Sequence, residues 1–344
     1  MVRILVLGAT GHLGQAVVRR ALESGHAVTA VSRQPDPIAL HGLDVTRVRL
    51  DDGYGALKEI APGQDVTTHD VLVDAAAPYP LDPCLPGSHA WRQAVDGAVA
   101  GTRQVLDAAR RNRLKLVFVS SFTTLPRWES PLRAMETAMR RSMCPYFEAK
   151  AAMEREVMAA AREGLPAVIV NPAAFLGPWE FRNEESSFVR LVLAGRMPAV
   201  MDHVLSVIDV RDVAEAIECA LAREMFGRPI ALAGHNVSLL EVARQICALD
   251  DERALRPAAL DPRVASLAAF WTSAAFAAAG RTAPDPWRAV PLAADGFPMR
   301  PSTEQIAMGL DLRPLSATLR DAIAFHRNGH FGGGHCGSSD GRSV

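Results

Sequence analysis

The sequence has little of what marks several large functional classes. Its 37 basic and 38 acidic residues leave a formal net charge of -1, so no overall field favours nucleic acid or an anionic membrane. No two cysteines form a CxxC pair, which favours free thiols in a reducing compartment over a disulfide framework. The five cysteines are Cys84, Cys144, Cys219, Cys247 and Cys336.

Long apolar runs are scarce as well. The amino terminus, MVRILVLGATGHLG, turns at once into glycine-rich sequence, so we expect no signal peptide. The run that comes nearest to a membrane span, from Val264 to Gly280, is rich in alanine and too short for a hydrocarbon core of about 30 Å. We expect a soluble cytoplasmic protein in which Val264–Ala279 is a buried helix. A dimer face, a pocket wall or membrane contact are its alternatives.

What is present is the pattern of an α/β protein. Apolar residues make up 49% of the 344 residues, and short β-branched runs alternate with amphipathic helices in the first half. We predict a Rossmann doubly wound parallel sheet with a smaller C-terminal substrate-binding lobe. The predicted strands are Arg3–Leu7, Ala27–Val31, Val45–Leu50, Asp70–Ala75, Lys115–Ser120 and Ala167–Val170. The predicted helices include Leu13–Ser24, Trp91–Asn112 and Phe147–Glu163.

A glycine-rich motif, GATGHLG, lies directly after the first strand and at the head of the first helix. Gly8 permits a tight turn, Gly11 lets the backbone approach a pyrophosphate, and Gly14 allows close packing of helix on strand. The helix N-terminus adds free N–H groups and a partial positive charge. With a strand before it and a helix after it, the motif predicts a dinucleotide site. The predicted cofactor-binding residues of this loop are Gly8, Thr10, Gly11, His12, Leu13 and Gly14.

The end of the second strand selects between NAD and NADP. An acidic residue there would bind the ribose 2′-hydroxyl, whereas an arginine accommodates a 2′-phosphate. The sequence has Ser32-Arg33 and no carboxylate before Asp36, which favours NADP, with NAD as the alternative. Asp51, at the end of the third strand, is a candidate acceptor for the adenine amino group or, equally, a helix cap.

Tyr146 and Lys150 form a YxxxK pair at the start of a predicted helix, just after Pro145. Residues four apart share one helical face, and an ammonium beside a phenol lowers the phenol pKa. A phenol with a pKa of about 10 is otherwise too weak an acid to exchange protons readily at neutral pH. The pair is therefore a candidate for proton transfer.

Ser120 and Ser121 lie at the carboxyl end of the fifth strand. Open α/β sheets bind their ligands at the carboxyl edge of the strands. A hydroxyl at that edge can donate a hydrogen bond to a substrate carbonyl and polarise it.

Together the motifs GATGHLG, VSS and YFEAK resemble those of the extended short-chain dehydrogenase/reductase family. That family includes sugar-nucleotide epimerases, dihydroflavonol reductase-like enzymes and 3β-hydroxysteroid dehydrogenases. The resemblance extends to about Arg327 and also covers NPAAFLGP at 171–178 and VRDVA at 210–214. It implies that Tyr146 is the general acid/base, that Lys150 binds the nicotinamide ribose and that Ser121 orients the carbonyl. Thr123 is a second candidate for the hydroxyl. Further cofactor contacts implied by the family are Ala75, Ala76, Ala77 and Pro172.

Two departures weaken the sugar-epimerase alternative. Asn171-Pro172 stands where the family often has Arg-Pro, and Ala98 stands where it often has asparagine. The loops beside the proposed nicotinamide edge are instead apolar and aromatic, which suits a hydrophobic carbonyl or alcohol. These loops carry Tyr79, Leu81, Trp128, Leu132, Met135, Trp179 and Phe181.

We assign residues 1–172 to an NAD(P)-binding domain to which 205–234 return, and residues 173–204 and 235–327 to the substrate-binding lobe. Residues 328–344 are rich in glycine and serine and are expected to form a disordered tail. No metal site is predicted, because nothing fixes the geometry of the tail's histidines and cysteine.

The expected function is NADP-dependent reduction of a carbonyl, or oxidation of an alcohol, of a small hydrophobic substrate. The alternatives are a sugar-nucleotide epimerase or dehydratase and a non-catalytic dinucleotide-sensing protein on the same fold. We expect a small-molecule substrate and no nucleic-acid partner, with a homodimer left open.

Overall fold

Seven strands form one parallel sheet at the centre of the protein. The computed structural model describes residues 1–33, 37–50, 68–126, 131–181, 187–250 and 256–328. The sheet comprises β1 (Arg3–Leu7), β2 (Ala27–Ser32), β3 (Thr46–Arg49), β4 (Val71–Asp74), β5 (Lys115–Val119), β6 (Ala167–Pro172) and β10 (Pro229–Leu232). Across the sheet the order is β10-β6-β5-β4-β1-β2-β3, and every neighbouring pair is parallel. The predicted doubly wound parallel sheet is confirmed.

Helices cover both faces of this sheet, because each buried strand points aliphatic side chains to both sides. In β5, Val117 and Val119 belong to one core, whereas Leu116 and Phe118 belong to the other. This alternation follows the two-residue period of a strand. The first face carries α1 (His12–Glu23) and α6 (Val210–Ala222), and the second carries α2 (His89–Asn112) and α4 (Pro145–Arg162).

A smaller set of strands and helices is formed by the part of the chain that follows β6. A three-stranded sheet contains β7 (Ala174–Leu176), β9 (Val204–Asp209) and β11 (His235–Ser238), and a second pair joins β8 (Ala199–Met201) to β12 (Ala258–Leu260). Around a third core pack α5 (Phe188–Leu193), α7 (Leu239–Leu249) and α11 (Leu315–Arg327). The division of the chain into two domains stays a prediction, and the tail from residue 329 onward lies outside the described residues.

The remaining helices are α3 (Pro131–Ser142), α8 (Pro262–Ala278), α9 (Asp285–Ala293) and α10 (Thr303–Met308). Ala265 and Ala269 of α8 pack against Val290 of α9. The expectation that α8 is buried is wrong for its other half, where Leu267 and Trp271 are 61% and 64% exposed. Among the helices of the described ranges, none is long and apolar enough to cross a membrane.

The first turn of α1 packs directly against the loop that follows β1. A Cβ atom added at Gly14 would overlap the carbonyl oxygen of Gly8 and lie 2.8 Å from its carbonyl carbon. Both obstacles are backbone atoms, which cannot rotate away as a side chain would. The close approach of Gly14 to the backbone of Gly8 sets where α1 begins relative to the sheet.

Gly14→Ala should therefore lower the free energy of unfolding by about 2–4 kcal/mol, because the added methyl group forces α1 away from the loop. Urea unfolding of both proteins measures the difference. The matched control is Gly97→Ala, since Gly97 lies in α2 with nothing within 4 Å of an added Cβ. That variant should gain about 0.5–1 kcal/mol. Equal stability of Gly14→Ala and the native protein would contradict the packing described.

Candidate active site

The glycine loop forms a backbone cradle at the carboxyl end of β1. Gly8 has a φ of 74°, and a Cβ there would lie 2.7 Å from the carbonyl oxygen of Ala75. The N–H of Gly11 donates to the carbonyl oxygen of Gly8 at 2.9 Å, which closes the turn. Gly11 is the N-cap of α1, and no side chain of the described residues accepts a capping hydrogen bond there. The backbone N–H groups in the first turn of α1 therefore lie at the glycine loop.

The other predicted residues of this loop contribute backbone rather than exposed side chains. His12 is buried, and its Nε2 lies 3.0 Å from the carbonyl oxygen of Pro178. Leu13 is part of the core between α1 and the sheet, and Thr10 is half-buried. On the adjoining strand, the N–H of Ala76 donates to Asp74 Oδ1 at 3.0 Å, so the turn after β4 is fixed beside Gly8.

The remaining predicted cofactor residues lie at the same edge of the sheet. Ser32 ends β2 and is buried, and the exposed Arg33 follows it. Pro172 ends β6, paired with Leu232 of β10. Ala77 follows Ala76 in the turn after β4. Asp51 lies outside the described residues.

These residues fit a nicotinamide dinucleotide. The loop lacks side chains where its backbone would meet a diphosphate, and Gly8 and Gly14 stand where a Cβ would collide with backbone. A helix N-terminus at the same point supplies N–H donors and a partial positive charge to an anion. The loop of residues 8–14, the turn of Ala75 to Ala77 and the end of β2 would hold the group.

Lys150 reaches this edge from α4. Its side chain is buried, and its Nζ donates to the carbonyl oxygen of Val119 at 3.3 Å, at the end of β5. Burial lowers the pKa of Lys150 to about 8, although the negative charges of Asp74 and Glu154 act in the opposite direction. Helix α4 starts two residues earlier than the sequence pattern predicts, with Pro145 in its first turn.

Tyr146 lies one turn before Lys150 and is covered by apolar groups. Its ring meets the ring of Tyr79 edge to face, with centroids 4.6 Å apart. Leu81 and Phe147 are buried in the same cluster, and Ala289 and Leu292 of α9 pack against it. None of the three larger cores includes Tyr146. The phenol therefore stands in a small apolar compartment between α4, the loop of residues 78–88 and α9.

Ser121 begins a short 3-10 turn, Phe122–Thr124, directly after β5. Its Oγ accepts hydrogen bonds from the N–H of Thr123 at 3.2 Å and from Thr123 Oγ1 at 3.0 Å. Two accepted bonds fill the lone pairs of a hydroxyl, so the proton of Ser121 is available for donation. Thr123, the second candidate hydroxyl, is thereby directed at Ser121.

A partly buried hydrogen-bond network fixes the turn of Ser121, and sequence reasoning missed it. Asn171 Nδ2 donates to the carbonyl oxygen of Ser121 at 3.2 Å and to Thr124 Oγ1 at 2.9 Å. Thr124 Oγ1 in turn donates to Glu154 Oε1 at 2.7 Å, and Asn171 also bonds Glu154. An amide in the otherwise apolar strand AVIVNP is a signal that could have pointed to Asn171. The sequence gives no comparable signal for Glu154.

The predicted apolar lining is only partly right. Tyr79 and Leu81 lie beside Tyr146, but Trp179 packs under the guanidinium of Arg19, 4.9 Å away, and Phe181 packs on Phe325. Helix α9 takes the place that the prediction gave to Trp179 and Phe181. Met135 is exposed on α3, whereas Trp128 and the side chain of Leu132 lie outside what is described.

Known proteins resemble the chain over most of its length. Residues 4–231 match the model of the NAD dependent epimerase/dehydratase family. The chain is 31% identical over 245 residues to sterol demethylase protein B of Methylococcus capsulatus, which covers 69% of this chain and 71% of that protein. It is 27% identical over 341 residues to a putative dihydroflavonol 4-reductase of Synechocystis sp., which covers 94% of both. A nucleoside-diphosphate-sugar epimerase from Pseudomonas aeruginosa has the same fold, with a TM-score of 0.68 and 23% identity over 96% of this chain and 99% of that one.

Because the charged side chain of Lys150 is buried, it should lower the free energy of unfolding of the protein. Lys150→Met should raise the free energy of unfolding at pH 7 by on the order of 1–3 kcal/mol, because methionine fills the site without a charge. The folded pKa, about 8, lies below the ordinary value of 10.5. Between these values the unfolded chain binds a proton that the folded chain has lost, so the stability of the native protein should rise with pH. The gain from Lys150→Met should shrink across the same window.

Unfolding by urea from pH 7 to pH 10.5 measures this difference. The control is Lys115→Met, because Lys115 is a partly exposed lysine paired with Glu224. Its effect should stay within about 0.5 kcal/mol without this pH dependence. A Lys150→Met protein less stable than the native one at pH 7 would refute the cost assigned to burial.

Proposed function

The chain belongs to the NAD dependent epimerase/dehydratase family, within the extended short-chain dehydrogenases/reductases, and from that premise we propose a specific reaction for it. Membership makes it an oxidoreductase-type enzyme. We propose that it uses NADP to reduce a carbonyl, or to oxidise an alcohol, of a small hydrophobic substrate. The observation that carries this proposal is a tyrosine in an apolar compartment, with a buried lysine one turn along the same helix.

When bound, the nicotinamide supplies or accepts the hydride. In reduction, Tyr146 gives its phenolic proton to the carbonyl oxygen, and in oxidation it takes the proton back. Lys150 carries the positive charge that favours the phenolate. Ser121 donates its hydroxyl proton in a hydrogen bond to the same oxygen, where negative charge develops in the transition state.

A hydrophobic substrate fits the surroundings of Tyr146 better than a sugar nucleotide does. Tyr79, Leu81 and Leu292 present apolar surface to the compartment. A diphosphate would need cations, but Arg141 and Arg288, which lie beside the compartment in the described part of the chain, form ion pairs with the carboxylates of Asp295 and Asp82. The reductase name of one relative favours the same choice.

NADP is proposed over NAD because of Arg33. This side chain is exposed at the carboxyl end of β2, where a ribose 2′-phosphate would lie in this fold. The neighbouring Ser32 is buried and offers no charge that would repel the phosphate.

Tyr146→Phe should lower kcat at least about a hundredfold, because the phenylalanine ring has no proton to transfer. Cofactor affinity, measured by nicotinamide fluorescence, should stay within about twofold, since the glycine loop is untouched. Tyr79→Phe is the matched control, because it removes a hydroxyl from the ring that packs against Tyr146. That variant should keep kcat within about threefold. Substantial turnover by Tyr146→Phe would rule out its role as the proton donor.

Arg33→Ala should weaken binding of NADPH by about tenfold or more, because it removes the cation assigned to the 2′-phosphate. Binding of NADH, which lacks that phosphate, should be unchanged and serves as the internal control. Fluorescence titration with both nucleotides provides the measurement. An equal loss for the two nucleotides would show that Arg33 does not recognise the phosphate.

A further inference from the structure

Helix α8 has no charged face, although the protein buries only half of it. The sequence contains no charged residue from Val264 to Gly280. Ala265, Ala269 and Ser273 form the buried half, and the opposite half faces outward. A helix on the surface of a globular protein normally turns polar side chains to water. An exposed apolar face of this size marks an interaction surface.

The exposed half of α8 offers large apolar side chains and hardly any hydrogen-bonding group. Leu267, Trp271 and Val264 are each more than half exposed, and Phe270 lies beside them. The indole N–H of Trp271 is the one side-chain donor among these four. A specific protein interface contains about one hydrogen bond per 100–200 Å². Hydrocarbon needs none, and a tryptophan ring suits the level of lipid head groups.

Cations stand at both ends of this apolar face. Arg263 precedes it and Arg281 follows it, and both are exposed. At the Arg263 end, the carboxylate of Asp261 accepts the N–H groups of Arg263 and Val264 as the cap of α8. Anionic phospholipid head groups would therefore meet a positive charge at either end of the helix.

Helix α9 connects this face to Tyr146. On one side Val290 and Ala294 of α9 pack against the buried half of α8. On the other side Ala289 and Leu292 pack against the cluster that contains Tyr146. One helix thus separates the exposed apolar face from the proposed proton donor.

The segments next to α9 are also exposed and apolar. Leu85, in the loop of residues 78–88, is 68% exposed, and Trp287 of α9 is partly exposed. This loop is tied to α9 by the ion pair of Arg288 with Asp82 at 2.7 Å. Leu85 and Trp287 therefore add exposed apolar side chains to the two segments that border the compartment of Tyr146.

We propose that α8, α9 and the loop of residues 78–88 form a docking surface for a phospholipid bilayer, on which α8 lies in the plane of the interface. The whole chain is nearly neutral, so attachment relies on the apolar side chains, with Arg263 and Arg281 adding a preference for anionic head groups. The substrate is then a lipophilic carbonyl or alcohol that passes from the bilayer to Tyr146. The choice of substrate rests on the proposed function, whereas the bilayer contact does not.

The test is co-sedimentation of the full chain with vesicles of phosphatidylcholine containing about 30 mol% phosphatidylglycerol. The native protein should bind, and the fluorescence of its tryptophans should shift to the blue. Leu267→Glu and Trp271→Glu should each weaken binding by about tenfold or more, because a carboxylate enters the apolar interface. The matched control is Ile306→Glu, since Ile306 is 69% exposed on α10, a helix that packs against β10 and α6. It should bind as the native protein does.

Turnover of a short water-soluble aldehyde, and of a long-chain aldehyde presented in the vesicles, is measured with the same proteins. Trp271→Glu should keep the first within about twofold and lose about tenfold of the second. Equal loss or equal retention of both activities would overturn the delivery of substrate from the bilayer. Failure of the native protein to bind vesicles would overturn the docking surface. If Trp271→Glu then abolishes a dimer of the native protein, the exposed face of α8 is a contact between two copies of the chain. Vesicle binding without turnover of either aldehyde would reject the proposed function and leave the docking surface standing.

Discussion

The arrangement of the site depends on the interactions of the buried Lys150 ammonium with its neighbours. Its bond to the carbonyl oxygen of Val119 fixes α4 at the end of β5, one turn away from Tyr146. Asp74 balances part of its charge and also accepts the N–H of Ala76, next to the glycine loop. One electrostatic cluster therefore joins the helix that carries the tyrosine to the loop that would hold a dinucleotide. A buried charge at the carboxyl edge of a parallel sheet is typical of a functional site.

The predictable parts of the molecule are those that short segments specify by themselves. The spacing of Gly8, Gly11 and Gly14 defines a turn and a helix start, and the spacing of Tyr146 and Lys150 defines one helical face. The structure has both as predicted. The strand β10 was not predicted, because four residues led by a proline carry little pattern. Its place beside β6 is decided by packing.

Contacts between distant segments account for the rest. The cover of Tyr146 depends on α9, held by a bond between Arg288 and Asp82 that are 206 positions apart in the sequence. No local pattern encodes such a pairing, and the sequence therefore suggested Trp179 and Phe181 instead. The bonds of Asn171 with Glu154 likewise join a strand to a helix, and only the folded chain brings them to the turn of Ser121. Helix α8 was misjudged because its composition alone cannot show which half the protein covers.

In the proposed reaction, Tyr146 and Ser121 act on one oxygen atom at the edge of the sheet. A crystal structure with oxidised NADP and an unreactive apolar alcohol tests this most directly. In that complex, Tyr146 Oη and Ser121 Oγ should both lie within about 2.6–3.2 Å of the alcohol oxygen. A complex in which the cofactor occupies the glycine loop while Tyr146 Oη stays out of reach of that oxygen would contradict the proposed reaction.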